Sequence, residues 1–309
     1  MTKIMIKLFN LEFNKEKEIY KSILFDLIKK KNFVKGSEIK DFEQLFRKKI
    51  GTKYCISCNS GSDALFAILY ALGIRRGDEV ITTSHSWIST SEAITRLEAK
   101  PVFVDTREDF NINEEKIEKK ITKKTKALLI VHLYGVPCNM TKILKICRKN
   151  KIFLIEDCAQ AHFSKYKQNY VGTFGVASAF SFFPTKNLGS FGDSGCVLTN
   201  SKFLQKKIRM LFSHGSLDKK YFNFSGINSR MDTFQSKILD YKIRDIQKQI
   251  RIKEKIFKLY IKYLSDIPEI ILPKIPKYKK PFFYLFTILV SKNRNKLQYY
   301  LKKKGIESA

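Results

Sequence analysis

The chain has 309 residues, 44% of them hydrophobic and 13% aromatic, enough to bury a sizeable core and too apolar for a disordered polypeptide. Its 59 basic and 29 acidic residues give a formal charge of +30, but lysines outnumber arginines 48 to 11 and are spread along the whole length. Without arginine forks or aromatic platforms between basic residues, that dispersion reads as a solvated surface, not as a nucleic-acid binder.

The opening MTKIMIKLFNLEF lacks the apolar run and cleavage site of a secretory signal. The longest apolar run, residues 282–290, is too short for a membrane helix, so a cytoplasmic protein without a membrane partner is expected. Residues 15–31 carry Ile19, Ile23 and Leu27 at helical spacing, and residues 37–49 repeat the pattern with Ile39, Phe42, Leu45 and Phe46. From Lys53, short apolar runs alternate with helical patterns. YCISC leads to SDALFAILYALG, EVITTS to STSEAITRLEA, then PVFVD; ALLIVHLY leads to NMTKILKICRKN, then IFLIED. This alternation predicts an α/β fold whose mostly parallel sheet is covered on both faces, with ligands at the carboxyl ends of the strands.

Beyond Arg230, residues 233–264 read as one long lysine-rich helix, and Pro268, Pro273, Pro276 and Pro281 then break the chain. One apolar strand over 282–290 and one helix over 295–304 follow. The expected division is a large domain over 1–245 and a small one over 246–309. One strand and one helix are too little to close a stable layer, so the small domain reads as incomplete.

Four places carry candidate chemistry. Lys186 stands among aromatic and small residues in SFFPTKNLGSFGDSG, where Phe182, Phe183, Pro184 and Phe191 suggest a partly desolvated amine able to form a Schiff base. Asn59 to Asp63 join a strand to a helix, and Gly61 and Ser62 there suit either a phosphate or an ordinary capped helix start. Asp157 ends the strand IFLIED, placed either to meet a ligand or to cap the next turn. Trp87, the only tryptophan, could stack on a flat cofactor or fill the core. Cys55 and Cys58 form a lone C-x-x-C read as buried reduced thiols, and His85, His132, His162 and His214 lack metal-ligand spacing and read as satisfied structural histidines.

Taken together, NSGSDAL (59–65), SWIST (86–90), IEDCAQAH (155–162), SFFPTKNLGSFGDSG (181–195) and GINSRMD (226–232) resemble the DegT/DnrJ/EryC1/StrS sugar aminotransferase family. The similarity runs in order from about Asn32 to Ala309 and includes GDEVIT, KPVFVD and VHLYG. It implies an aspartate aminotransferase-type (fold type I) enzyme with a three-layer α/β/α large domain, using pyridoxal 5'-phosphate.

By the same resemblance Lys186 matches the lysine that binds the cofactor aldehyde and then moves the proton. Asp157 matches the partner of the pyridine nitrogen, Gln160 the neighbour of the ring hydroxyl, and Trp87 the aromatic stacked on the ring. Gly61, Ser62 and Ser181 match phosphate contacts, and Asn228 matches a phosphate ligand from a second subunit, which implies a homodimer. Phe33, Thr185 and Arg230 align with contacts to a nucleotide-sugar substrate, although Phe33 replaces a frequent tyrosine. The implied reaction passes an amino group from glutamate to a keto carbon of the sugar. Lysine at 186, where related dehydratases carry histidine, favours transamination, and Gln160 with PTKNLG and NSRMD leans towards carbon 3. Family members continue beyond a GI-x-[TS]-A segment, whereas this sequence ends at GIESA, so weakened sugar turnover is expected. Alternatives are a cyclitol or aminohydroxybenzoate-type enzyme with the same cofactor, or a catalytically impaired remnant.

Overall fold

The apolar runs between Tyr54 and Thr199 form one seven-stranded sheet in a computed structural model that describes residues 5–9, 11, 16–34, 36–218 and 220–309. Two helices precede it, α1 (Lys17–Lys30) and α2 (Ser37–Ile50), where the helical spacing predicts them; Lys15 lies outside the described residues. The alternating series then follows as β1 (Tyr54–Cys58), α3 (Gly61–Ala71), β2 (Glu79–Thr83), α4 (Ser89–Thr95), β3 (Lys100–Val104), β4 (Thr125–Val131), α5 (Met140–Asn150) and β5 (Phe153–Asp157). A short hairpin, β6 (Lys165–Tyr166) and β7 (Asn169–Tyr170), precedes β8 (Ala177–Ser181), β9 (Gly195–Thr199) and α6 (Lys202–Leu211).

The strands lie in the order β1-β9-β8-β5-β4-β2-β3. Every neighbouring pair from β8 to β3 is parallel, and only β9 runs against its neighbours β8 and β1. The carboxyl ends of β1, β2, β4, β5 and β8 therefore share one edge, and the loops leaving them converge there. Period-two side-chain alternation sends successive apolar residues to opposite faces, and both faces are covered. Ile56, Val80, Leu129, Ile155 and Val197 pack with α3, α4 and α6 on one face. On the other, Phe42 and Phe46 of α2 meet Phe180 and Phe182, while Ile81, Leu128 and Ile130 meet α5. Phe46 is the hub of the first of these groups, with edge-on ring contacts to Phe163, Phe180 and Phe182 at 5.1–5.9 Å between centroids.

Two expectations for the later part of the chain are corrected. The single helix over 233–264 is two, α7 (Thr233–Arg244) and α8 (Ile246–Leu264), with Asp245 out of helical geometry between them. The strand expected over 282–290 survives only as a two-residue piece, β12 (Leu289–Val290), which pairs with β10 (Ile270–Ile271); a further short strand, β11 (Lys279–Lys280), joins the β6–β7 hairpin. Residues 282–284 are instead tied down by groups far along the chain, as described below. The final helix is α9 (Arg294–Lys303). Among the described residues no helix is long and apolar enough to cross a membrane.

Candidate active site

β5 carries Asp157 to the shared edge and buries it there. Its Oδ1 accepts the Ala159 amide at 3.0 Å and its Oδ2 accepts the Thr90 hydroxyl of α4 at 3.4 Å. Burial pushes the carboxyl above its ordinary range, opposed by these hydrogen bonds and by the positive charge of Lys186. Lys186 sits in the loop after β8, whose backbone folds back so that its amide donates to the Phe183 carbonyl at 2.8 Å. Burial pushes its amine below the usual lysine value, and the Asp157 carboxylate opposes that shift. Each group thus supports the other's charge in a poorly solvated place.

The walls of that place are not those the sequence suggested. Phe182 faces the core beneath, Phe183 is exposed, and Phe191 packs on Tyr20 at 4.7 Å between centroids. The aromatic ring over Lys186 is Tyr284, nearly a hundred residues away in sequence, with the amine 4.8 Å from the ring centroid. The Tyr284 hydroxyl shares a hydrogen bond with Thr185 at 3.2 Å. Thr90, Tyr134 and Tyr284 are site residues that sequence reasoning missed. Thr90 in SWIST and Tyr134 in VHLYG stood in recognised segments, whereas Tyr284 had no local signal.

The turn through Tyr134 and Gly135 is left-handed at both residues. It lets the Tyr134 amide donate to Gln160 Oε1 at 2.7 Å, which fixes the Gln160 side chain against the strand edge. The Tyr134 hydroxyl meets His85 Nε2 at 3.0 Å. Trp87 lies one helical turn before Thr90 and is 73% exposed, so it forms no part of the core.

The start of α3 is built for close approach. Ser60 caps it by accepting the Asp63 amide at 3.1 Å, and its carbonyl takes the Ala64 amide. The Gly61 and Ser62 amides take no partner among the described residues, as first-turn amides do, and are open to an acceptor from outside the chain. A Cβ on Gly61 would lie 2.7 Å from that of Ser181, so glycine alone lets the helix start reach the end of β8. Gly61, Ser62 and Ser181 are thereby brought together. The nearby Asp63 carboxylate is occupied by the Ser229 hydroxyl at 2.7 Å and by Arg96 at 3.6 Å.

Asn228, beside Ser229, is exposed on a segment bridged to Ser213. Phe33 is 54% exposed, and its carbonyl accepts the Thr233 amide at 2.9 Å, which brings residue 33 beside the 230–233 segment carrying Arg230. Phe33 and Arg230 thus lie on neighbouring backbone segments, while Thr185 adjoins Lys186.

Of the histidines, His162 departs from expectation. It is fully buried, neither ring nitrogen has a hydrogen-bond partner among the described residues, and the Ser181 backbone near it lies outside bonding geometry. Burial and the positive charge of Lys186 push it down to about 3, so it is a neutral ring against Phe180 and Phe182. His132 and Glu156 with Cys158 form a buried cluster that has the makings of a metal set. Two of its three donors are already used. His132 Nδ1 accepts the Cys138 amide at 3.0 Å, leaving Nε2 to donate to Glu156, and Glu156 also accepts the amides of Gly172, Phe174 and Gly175 at 2.7–2.8 Å. All six cysteines are free and buried. A cleft of about 870 Å³ lies elsewhere, between residues 106–115 and 271–279, and touches neither Lys186 nor Asp157.

A softened amine, a buried carboxylate one strand away and an unpaired pair of amides at a helix start match the three handles of pyridoxal phosphate: aldehyde, pyridine nitrogen and phosphate. The model of the DegT/DnrJ/EryC1/StrS aminotransferase family matches residues 14–309. A dTDP-3-amino-3,6-dideoxy-alpha-D-galactopyranose transaminase of Aneurinibacillus thermoaerophilus is 38% identical over 278 residues, 89% of this chain and 76% of that protein. The crystal structure of DesV from S. venezuelae with a ketimine intermediate superposes with a TM-score of 0.94 at 32% identity, over 98% of this chain and 82% of that one. NtdA from Bacillus subtilis, solved with its cofactor PMP, gives 0.89 at 28% identity over 96% and 69%. The fold is the aspartate aminotransferase type and the cofactor is pyridoxal 5'-phosphate. With its family model matched over nearly the whole length and relatives at more than a third identity, the chain belongs to the DegT/DnrJ/EryC1/StrS family of pyridoxal phosphate-dependent aminotransferases.

Proposed function

We propose that this chain moves an amino group from glutamate to a keto carbon, carbon 3 by preference, of a nucleotide-activated sugar. The observation that carries the reading is the Lys186–Asp157 pair, an amine made less basic by burial beside a buried carboxylate. The carbon preference draws on the relative named as a dTDP-3-amino sugar transaminase.

When bound, pyridoxal phosphate supplies an aldehyde for the amine and a ring that accepts the electron pair of a breaking C–H bond. Lys186 Nζ would hold the cofactor and, once released, would be the group that takes up and returns a proton. Burial pushes its pKa below the usual lysine value, which favours the neutral form a proton acceptor needs. Asp157 keeps a proton on the pyridine nitrogen by presenting a carboxylate that Thr90 and the Ala159 amide hold in place. Gln160 would meet the ring hydroxyl and Trp87 the ring face. Gly61, Ser62 and Ser181 would hold the phosphate, joined by Asn228 from a second copy of the chain in a homodimer. Phe33, Thr185 and Arg230 receive the sugar nucleotide.

The test begins by adding pyridoxal phosphate to the full chain and to Lys186→Ala. A visible absorbance band in the parent that is absent in the variant supports the assignment. Glutamate should then bleach the band and release one 2-oxoglutarate per site, and a panel of nucleotide 3- and 4-keto sugars should restore it. A loaded parent that never reacts with glutamate would remove the donor, and restoration only by 4-keto sugars would remove the carbon assignment.

A further inference from the structure

We propose that Tyr284 is a catalytic residue whose ring face holds the protonated form of Lys186, setting how readily that amine gives up its proton. The proposal deepens the assignment of Lys186 as proton carrier and rests on it. Its ring centroid is 4.8 Å from Nζ, within the range where an aromatic face attracts an ammonium, and the attraction grows where water is excluded.

The ring is aimed, not merely near. The Tyr284 amide donates to the Tyr134 carbonyl at 2.9 Å, and the Phe282 amide donates to Ser164 Oγ at 2.8 Å. Asn187, the residue after Lys186, donates its Nδ2 to the carbonyls of Phe282 and Phe283 at 2.9 and 3.3 Å. Gly135 is what lets this segment come so close, because any Cβ there would collide with the Phe282 carbonyl. The hydroxyl is held by Thr185 and the ring also packs on Phe9. Three anchors from three separate segments therefore fix residues 282–284 although they form no strand. A merely space-filling side chain needs none of that.

The other groups facing the amine are few. Asp157 from β5 favours its charged form, His162 beneath it is neutral, and Lys253 of α8 is reached only through Asn187. Among the described residues, Asp157 and Tyr284 are then the two groups that stabilise the ammonium, one as a charge and one as a quadrupole. A carboxylate committed to the pyridine nitrogen is less free to do so, which leaves the ring as the partner for the released amine.

The test compares Tyr284→Leu with Tyr284→Phe in the full chain without cofactor. Leucine keeps apolar bulk over Lys186 but removes the ring face; phenylalanine keeps the ring and removes the hydroxyl. Each is labelled across a pH series with limiting acetic anhydride, and modification of Lys186 is read by mass spectrometry. The midpoint in Y284L should fall by about half a unit to one unit, and Y284F should keep the parent midpoint. In the loaded enzyme the pH profile of the glutamate half-reaction should shift the same way in Y284L and be rescued in Y284F. A Y284L midpoint that stays or rises overturns the proposal, and so does a Y284F midpoint that falls as far as that of Y284L. Because labelling reads Lys186 without cofactor, it can fail while pyridoxal phosphate still loads the parent, so the two readings fail separately.

Discussion

The buried amine of Lys253 donates to Asn187 Oδ1 at 2.6 Å, and Asn187 in turn holds the backbone at Phe282 and Phe283. Burial pushes the Lys253 amine down to about 8, so the folded chain disfavours its charge while the unfolded chain does not. Below pH 8 both states carry the proton and the folded state bears the full penalty. Between about 8 and the ordinary lysine value near 10.5, the unfolded state binds more protons and this residue's penalty fades. The gap in urea midpoint between parent and Lys253→Met should therefore move in the parent's favour from about pH 8 to about pH 10. A gap that is flat across this range would contradict the buried position of Lys253.

Gly61→Ala places a methyl group against the Ser181 side chain. Overpacking of this kind costs about 1–3 kcal/mol and here pushes the α3 amides off their site. We expect lower stability and weaker cofactor retention on dialysis. The double variant Gly61→Ala with Ser181→Gly should recover most of the lost stability, since the nearest obstructing atom is then gone. Additive losses in the double variant would show that the clash is not the cause.

Asp157→Asn keeps the size and the reach to Thr90 and the Ala159 amide but removes the charge. The cofactor should still load, while the glutamate half-reaction slows by about 100- to 1,000-fold, the usual scale for deleting one preorganised electrostatic partner. Stopped-flow absorbance separates this from a loading defect, because the starting band persists. A near-parental rate would remove Asp157 from the chemistry.

Phe46→Ala opens a hole among Phe42, Phe163, Phe180 and Phe182, beneath the Lys186 loop. The expected loss is about 3–5 kcal/mol by urea unfolding. Phe46→Leu should lose distinctly less. Equal losses would mean that the site collapses around whatever replaces the ring.

The large sheet was legible because its strands are short apolar runs separated by helical periods, a pattern that local chemistry alone imposes. Asp157 and the Gly61–Ser62 start stood out as candidates because they lie at or just beyond strand ends, whereas Lys186 stood out by its apolar neighbours in sequence and by the family resemblance. What the sequence hid depends on contacts far along the chain. Residues 282–287 resemble a strand by composition, yet Ser164, Asn187 and Gly135 hold them in another course. The break at Asp245 carries no proline or glycine, so the helical period runs straight through it. Phe183 and Phe191 neighbour Lys186 in sequence and turn away from it, while Tyr284 arrives from outside any local window.

Glu156 and Asp157 are adjacent carboxylates that β5 sends to opposite faces. Glu156 is saturated by three backbone amides and His132, whereas Asp157 is turned towards Lys186. A slip of one residue in β5 that put Glu156 in the place of Asp157 would bring Ile155 to the three amides and strand them without an acceptor. Glu156 thus works as a key that fits one lock position only, and the placement of the charge that matters for chemistry is guaranteed by its silent neighbour.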